Sequence, residues 1–192
     1  MPRWLNIANL FTLLRLACVP FAVQAILRQQ HERALGIVLA AALTDTIDGT
    51  LARRFAMATN VGAYLDPITD KIFLSAVYIA LAKIGSVPWW LVIEIFARDF
   101  LILAASGAAI LFLRIRHFPP SLWGKASTFL QILCALVVMI GNAAPGSAAS
   151  RLGGALIWPV AVLTAFTGVH YLWREVRGIL RTVPKISPSR RS

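Results

Sequence analysis

Acid, cysteine and histidine are all scarce in this sequence. Of 192 residues only 8 are Asp or Glu, 2 are Cys and 3 are His, against 19 Lys and Arg. Cys18 and Cys134 both lie in apolar runs, which argues against a disulfide framework or a thiolate metal site and for small buried hydrophobes. His31 and His117 have no metal-ligand partner nearby in sequence and His170 falls near the interfacial end of the last apolar run, so a zinc centre built on imidazole is not supported. Charge of either sign is short as well: 14% of residues are charged, where a soluble domain carries about 25%. With 58% hydrophobic residues and a mean hydropathy of +0.73, a water-facing shell cannot be built. Lipid is the solvent for most of this chain.

A formal net charge of +11 is compatible in principle with nucleic acid. The bases, however, fall in the short gaps between apolar runs and at the C-terminus, where cytoplasmic loops of membrane proteins carry them. No nucleic-acid partner is expected. A membrane span needs about 20 mostly apolar residues, and six are predicted: Ile7 to Leu27, Leu35 to Arg53, Ile68 to Ile84, Trp89 to Leu113, Leu122 to Ile140 and Leu152 to Trp173. The fold class is therefore all-α and polytopic. Placing the N-terminus inside leaves only Arg28, Arg33, Lys83 and Arg151 in outer loops, so both termini are expected in the cytoplasm. Arg15 and Pro20 interrupt the first apolar run, which favours a retained helix over a signal peptide. Residues 141–154, rich in Gly, Pro and Ser, read as a turn, and residues 174–192 as a basic, solvated tail on a single domain spanning 1–192. No Arg- and Ser-rich transit segment is seen, which points to a bacterial inner membrane rather than a mitochondrial one.

The few acids are oddly placed. Asp45, Asp48, Asp66, Asp70, Glu94 and Asp99 lie in or at the ends of apolar stretches, where an ionisable group costs at least about 2.5 kcal/mol and marks a functional site by default. At 100° per residue, Asp45, Asp48, Gly49, Ala52 and Arg53 share one helix face, and Asp66 and Asp70 share another. Gly62 marks a turn before the third span, with Pro67 in its first turn. Four carboxylates crowded into a partly dry site repel one another unless divalent cations neutralise them. Hard oxygen donors without Cys or His suit Mg²⁺, Mn²⁺ or Ca²⁺. Two such ions can clamp a pyrophosphate while a carboxylate takes the proton of an attacking hydroxyl. Gly49 and Ala52 leave room for an extended ligand and Arg53 offers a fork for phosphate. The competing account is that these acids are ion pairs of Arg15, Arg53, Lys71 and Arg98. Intramembrane acids could also line the path of a cation carrier, but acids gathered near one membrane face fit that role poorly. A catalytically silent lipid-binding scaffold is a third reading.

Asp45, Asp48, Gly49, Ala52, Arg53, Gly62, Asp66 and Asp70 reproduce the pattern D-x2-D-G-x2-A-R-x8-G-x3-D-x3-D without a gap, and in this the chain resembles the CDP-alcohol phosphatidyltransferases. Asn9, Thr12, Arg15 and Pro20 are similar to that family's first-helix element, and six spans is its usual number. The resemblance implies transfer of a phosphatidyl group from CDP-diacylglycerol to a hydroxyl, with Mg²⁺ or Mn²⁺ and release of CMP. It implies that Asp45, Asp48, Asp66 and Asp70 hold two metal ions and that Asp70 also takes the acceptor's proton. Gly49, Ala52 and Arg53, with Asn9 and Thr12, would lie along the donor.

Arg98-Asp99 and the segment Gly124-Lys125-Ala126-Ser127-Thr128 resemble the branch that makes phosphatidylglycerophosphate and cardiolipin. The phosphatidylglycerophosphate synthases usually have a second lysine in the latter segment. Its absence favours phosphatidylglycerol as acceptor, with glycerol 3-phosphate as the alternative. Lys125, Arg98, Arg114 and Arg116 are candidate acceptor-binding residues, although the loop arginines also suit contact with anionic membrane lipids. Trp4, Trp89, Trp90, Trp123 and Trp173 fall at span ends as an aromatic belt does. Ala104, Ala105, Gly107 and Ala108 suggest close helix contact in span four, a candidate homodimer interface.

Overall fold

The computed structural model describes the backbone of residues 7–54, 60–113 and 122–182, and the side chains of 13–44, 69–104 and 122–173. The described residues form six helices: α1 (Ile7–Leu27), α2 (His31–Arg54), α3 (Asn60–Lys83), α4 (Trp89–Leu113), α5 (Leu122–Ala143) and α6 (Ala148–Thr182). No strand occurs among them, as the long apolar runs with few breakers require. Helix is the structure that satisfies every backbone donor and acceptor within one segment when lipid offers no partners.

Each helix packs against its neighbours in a ring running α1, α3, α4, α6, α5, α2 and back to α1, with α3 also touching α5 across it. The core lies inside this ring and includes Ala22 and Ile26 of α1, Val77, Tyr78 and Leu81 of α3, Leu91 of α4, Cys134 of α5 and Val160 of α6. Outside it, Phe21, Leu43, Ile93, Phe100, Leu103, Phe129, Trp158, Val162 and Val169 are each more than 60% exposed. Water would not tolerate so large an apolar surface, but lipid does. Among the described residues, α5 and the stretch Ala148–Trp173 of α6 are long and apolar enough to cross a membrane.

A buried polar network joins α3, α5 and α6 inside the ring. The Tyr78 hydroxyl donates to the Gln131 backbone carbonyl at 2.8 Å, and Gln131 Nε2 donates to Thr164 Oγ1 at 3.1 Å. Thr167 closes it by donating to the Thr164 carbonyl at 2.9 Å. In a low-dielectric core such bonds fix which helix faces meet, because an unpaired polar group there is costly.

The predicted spans correspond one to one with these helices, and α1 and α4 have the expected limits. Three readings are corrected. α3 starts at Asn60 rather than near Ile68, so positions 62 and 67 lie within the helix; proline's fixed φ is compatible with helix even though the residue cannot donate the bond to the carbonyl four residues back and crowds it. The stretch 141–154 is not all turn, because α5 runs to Ala143 and α6 begins at Ala148. Its glycines are contact residues: a Cβ on Gly141 would meet Ser150 Cα at 2.7 Å, and one on Gly153 would meet Val138 Cα at 3.2 Å. Small residues let two membrane helices approach this closely. The basic tail is helical as far as Thr182, since Arg, Glu and Leu all favour helix. Of the candidate contact residues in span four, Ala104 is exposed, and the side chains of Ala105, Gly107 and Ala108 lie outside those described.

The turns at the ring's other end are set by helix caps. α3 closes with Ser86 N–H on the Leu81 carbonyl and Gly85 N–H on the Ala82 carbonyl, both at 3.0 Å, with Gly85 at φ 77°. The same double closure ends α1, but there Gln29 takes the left-handed position at φ 56°. A side chain there is strained by about 1 kcal/mol. Gln29→Gly should therefore raise the melting temperature of the detergent-solubilised protein, and Gly85→Ala should lower it. Gly141→Ala is expected to destabilise by about 1–3 kcal/mol through overpacking, while Gly154→Ala, which meets nothing within 4 Å, should leave melting unchanged or slightly raised. Equal melting of the two alanine variants would refute the close-packing account.

Candidate active site at the α2–α3 end

α2 and α3 are consecutive, yet no packing contact joins them among the described residues. α1 packs against both on one side and α5 touches both on the other, leaving a cavity of about 320 Å³ between the four helices. That volume is within the range of about 300–1,000 Å³ typical of small-molecule sites. Its walls are Val38, Ala41 and Ala42 of α2, Phe73, Leu74 and Val77 of α3, and Ile132, Ala135 and Leu136 of α5. Arg15 of α1, Asp70 and Lys71 of α3 and Thr128 of α5 complete the lining. Along α3 the lining changes from Asp70 and Lys71 to Val77, and along α5 from Thr128 to Leu136. Polar groups thus gather at the end nearer the α2–α3 connection, and the rest is apolar.

Helical geometry carries the α2 wall into the aspartate motif. α2 is unbroken from His31 to Arg54, so the stripe Val38, Ala41 continues through positions 45, 48 and 52 at intervals of three and four. Positions 66 and 70 likewise share one face of α3. Of these positions, Asp70 lines the cavity among the described residues, while positions 45, 48 and 66 share helix faces with cavity-lining residues by periodicity alone. The side chains of Asp45, Asp48, Gly49, Ala52, Arg53 and Asp66, and those of Asn9 and Thr12 on α1, lie outside those described. So do Arg114 and Arg116 entirely.

Asp70 is the described member of the motif. Its Oδ1 accepts from Arg15 Nη1, and the exposures are unequal: the Arg15 side chain is 8% exposed and that of Asp70 54%. Arg15 is thus packed in place behind a carboxylate that still opens toward the cavity. A half-exposed oxygen donor on an aspartate-bearing face fits a hard divalent cation such as Mg²⁺ or Mn²⁺. The ion-pair account therefore holds for Asp70 without closing its carboxylate to a ligand.

A second charge cluster lies beside the first. Lys71 Nζ donates to Asp99 Oδ2 across the α3–α4 contact, and Arg98 Nη1 donates to Asp99 Oδ1 at 2.7 Å. Arg98 is buried, with its Cγ 3.5 Å from the position a Gly168 Cβ would take on α6, and its Nε has no hydrogen-bond partner. Of the candidate acceptor residues, Arg98 does not line the cavity and Lys125 is exposed in the first turn of α5. Lys71 does line it; the sequence reading named it as a cytoplasmic base and an ion-pair candidate, which its bond to Asp99 bears out, but not as a site residue, although its position next to Asp70 was the available signal. His170 stacks on Phe166 with ring centroids 5.9 Å apart, a surface position on α6.

The CDP-alcohol phosphatidyltransferase family model matches residues 5–167, nearly the whole helical region. A Mycobacterium tuberculosis (strain H37Rv) protein named "Probable phosphatidylglycerophosphate synthase" is 34% identical over 187 residues, covering 92% of this chain and 85% of that one. A Rickettsia bellii CDP-diacylglycerol--glycerol-3-phosphate 3-phosphatidyltransferase is 32% identical over 171 residues, covering 86% and 93%. A Mycobacterium bovis protein provisionally named cardiolipin synthase is 30% identical over 146 residues, covering 74% and 68%. With an unbroken eight-residue motif carried on α2 and α3, a family match over most of its length and relatives of this similarity, the chain belongs to the CDP-alcohol phosphatidyltransferase family.

Proposed function

We propose that this chain is an integral-membrane enzyme of six spans that moves the phosphatidyl group of CDP-diacylglycerol to a glycerol-type hydroxyl, releasing CMP, at the cytoplasmic face of a bacterial inner membrane. The observation that carries this reading is the position of Asp70, a motif carboxylate at the polar end of an otherwise apolar cavity between α2, α3 and α5. A lipid whose phosphate is to be attacked needs that junction of charge and oil. Within it the apolar walls suit part of an acyl chain, and the small residues Gly49 and Ala52 with Arg53 suit the nucleotide and pyrophosphate. Asn9 and Thr12 on α1 belong to the same donor side.

Asp45, Asp48, Asp66 and Asp70 would hold two divalent ions, Mg²⁺ or Mn²⁺, which when bound polarise the attacked phosphorus and offset charge on the departing CMP. Asp70 accepts the proton of the acceptor hydroxyl. Arg15 keeps that carboxylate in one rotamer, so the base is placed before the acceptor arrives. Cavity walls of Val, Leu, Ile and Phe keep water, a competing nucleophile, from the donor.

Glycerol 3-phosphate is the acceptor best supported, by the names of the Mycobacterium tuberculosis and Rickettsia bellii relatives and their fuller coverage. Phosphatidylglycerol is the second reading. It is favoured by the single lysine of Gly124 to Thr128 and by the provisionally named Mycobacterium bovis relative. Lys125, Arg98, Arg114 and Arg116 remain the proposed acceptor-side cations, acting directly or through neighbours.

Purified protein in liposomes, given CDP-diacylglycerol and Mn²⁺ or Mg²⁺, should release CMP with one of these two acceptors. The lipid product, phosphatidylglycerophosphate or cardiolipin, identifies which; release with neither acceptor refutes the assignment. Asp70→Asn should cut CMP release by about 10²–10⁴-fold, the usual contribution of a general base, with the protein still folded. Arg15→Gln should lower kcat by about tenfold to a hundredfold by loosening Asp70, and Arg15→Lys should retain part of it. If Arg15→Gln turns over normally, the positioning role is wrong.

A further inference from the structure

We propose that Lys71 is the cation that receives the phosphate of the acceptor alcohol, and that Asp99 holds it on the cavity wall beside Asp70. This rests on the phosphatidyltransferase reading and adds a binding residue to it. The first support is a charge count. Arg15 and Asp70 form one pair, whereas Lys71 and Arg98 share the single carboxylate of Asp99. Counted over the described residues of this cluster, two cations on one anion leave one positive charge in excess. Among the described residues Glu94, one turn earlier on α4, forms no ion pair with either cation.

The second support is where that excess can be met. Arg98 is 7% exposed and packed on α6 at Gly168, so no ligand in the cavity reaches it. The Lys71 side chain is 41% exposed and lines the cavity next to Asp70. An ammonium has three donors, of which Asp99 engages one oxygen contact. The carboxylate therefore anchors Lys71 without using it up. Buried Arg98 pins Asp99 in turn through the 2.7 Å bond to its other oxygen. Arg98 and Asp99 are positioning residues, and Lys71 is the one that touches the ligand.

The phosphate is a monoester in glycerol 3-phosphate and a diester in phosphatidylglycerol; the recognising chemistry is the same and the two are tested separately. An acceptor phosphate on Lys71 sets its glycerol hydroxyl on the side of the neighbouring Asp70, which is to take the proton. One residue of separation on α3 thus couples anchoring to deprotonation.

Steady-state CMP release by wild type, Lys71→Gln and Lys71→Arg should be measured with each acceptor. Lys71→Gln leaves Asp99 paired with Arg98, so folding should be preserved. Expected is a rise of about tenfold or more in KM for the acceptor, the loss of one charge-assisted hydrogen bond, with KM for CDP-diacylglycerol little changed and Lys71→Arg close to wild type. An unchanged acceptor KM, a rise confined to the donor, or an arginine variant as poor as the glutamine one overturns the proposal and leaves the proposed function intact. A second readout does not need turnover: protection of the purified protein against heat by glycerol 3-phosphate or by phosphatidylglycerol. Protection of wild type that Lys71→Gln loses supports the site even if no CMP appears. Wild type that is neither active nor protected by either acceptor overturns both.

Discussion

Compensation of charge inside an apolar bundle governs this structure. Arg15, Arg98 and Asp99 are surrounded by helices in a chain with few charges to spare, and a buried charge without a partner costs several kcal/mol. Each has one: Arg15 on Asp70, Arg98 and Lys71 on Asp99. These pairs link α1 to α3 and α3 to α4 at the level of the motif. With the Arg98 contact at Gly168, four of the six helices meet there through charged residues. Buried ion pairs add little net stability over apolar packing, but they specify which faces meet. Here the faces so chosen are those that bring Asp70 to the cavity.

A cavity separates the two helices that carry the motif, and among the described residues α2 and α3 make no direct packing contact. Instead α1 and α5 bridge them. The opening left between has walls of small and apolar residues on α2 and α5 and a polar end at Arg15, Asp70, Lys71 and Thr128. At the far end, the Asn142 amide donates to Ser86 at 2.9 Å, and the α5–α6 pair closes tightly at Gly141 and Gly153. The bundle is therefore tied at the turns far from the motif and along α5 and α6, while the motif end keeps an open volume.

Helix number, order and most limits were legible because they depend on local properties: long apolar runs separated by Gly, Pro and charge. Limits were misread where one residue type has two uses. Gly141 and Gly153 carry turn chemistry in isolation, yet in the bundle their missing side chains admit a neighbouring backbone. Pro67 suits a first turn, yet the α3 backbone is helical on both sides of it. Arg174 to Thr182 is polar enough for a tail and helical enough to extend α6. The motif itself was fully legible, since spacing along two helices determines which residues share a face. That Arg15 serves Asp70, 55 positions away, was foreseen only as one of several ion-pair options.

Taken alone, the sequence determined that the chain is too apolar and too poor in charge for an ordinary soluble domain, that it is helical, and that four aspartates fall on two helix faces. These follow from composition and from periodicities of a few residues, whereas the phosphatidyltransferase reading came from the motif's resemblance to a known family. Only the tertiary structure decided that α1 and α5 separate the aspartate helices, that Arg15 stands behind Asp70, and that Lys71 rather than Arg98 lines the cavity. Those outcomes depend on which helix faces can be brought together without stranding a charge, and that balance involves residues far apart in the chain.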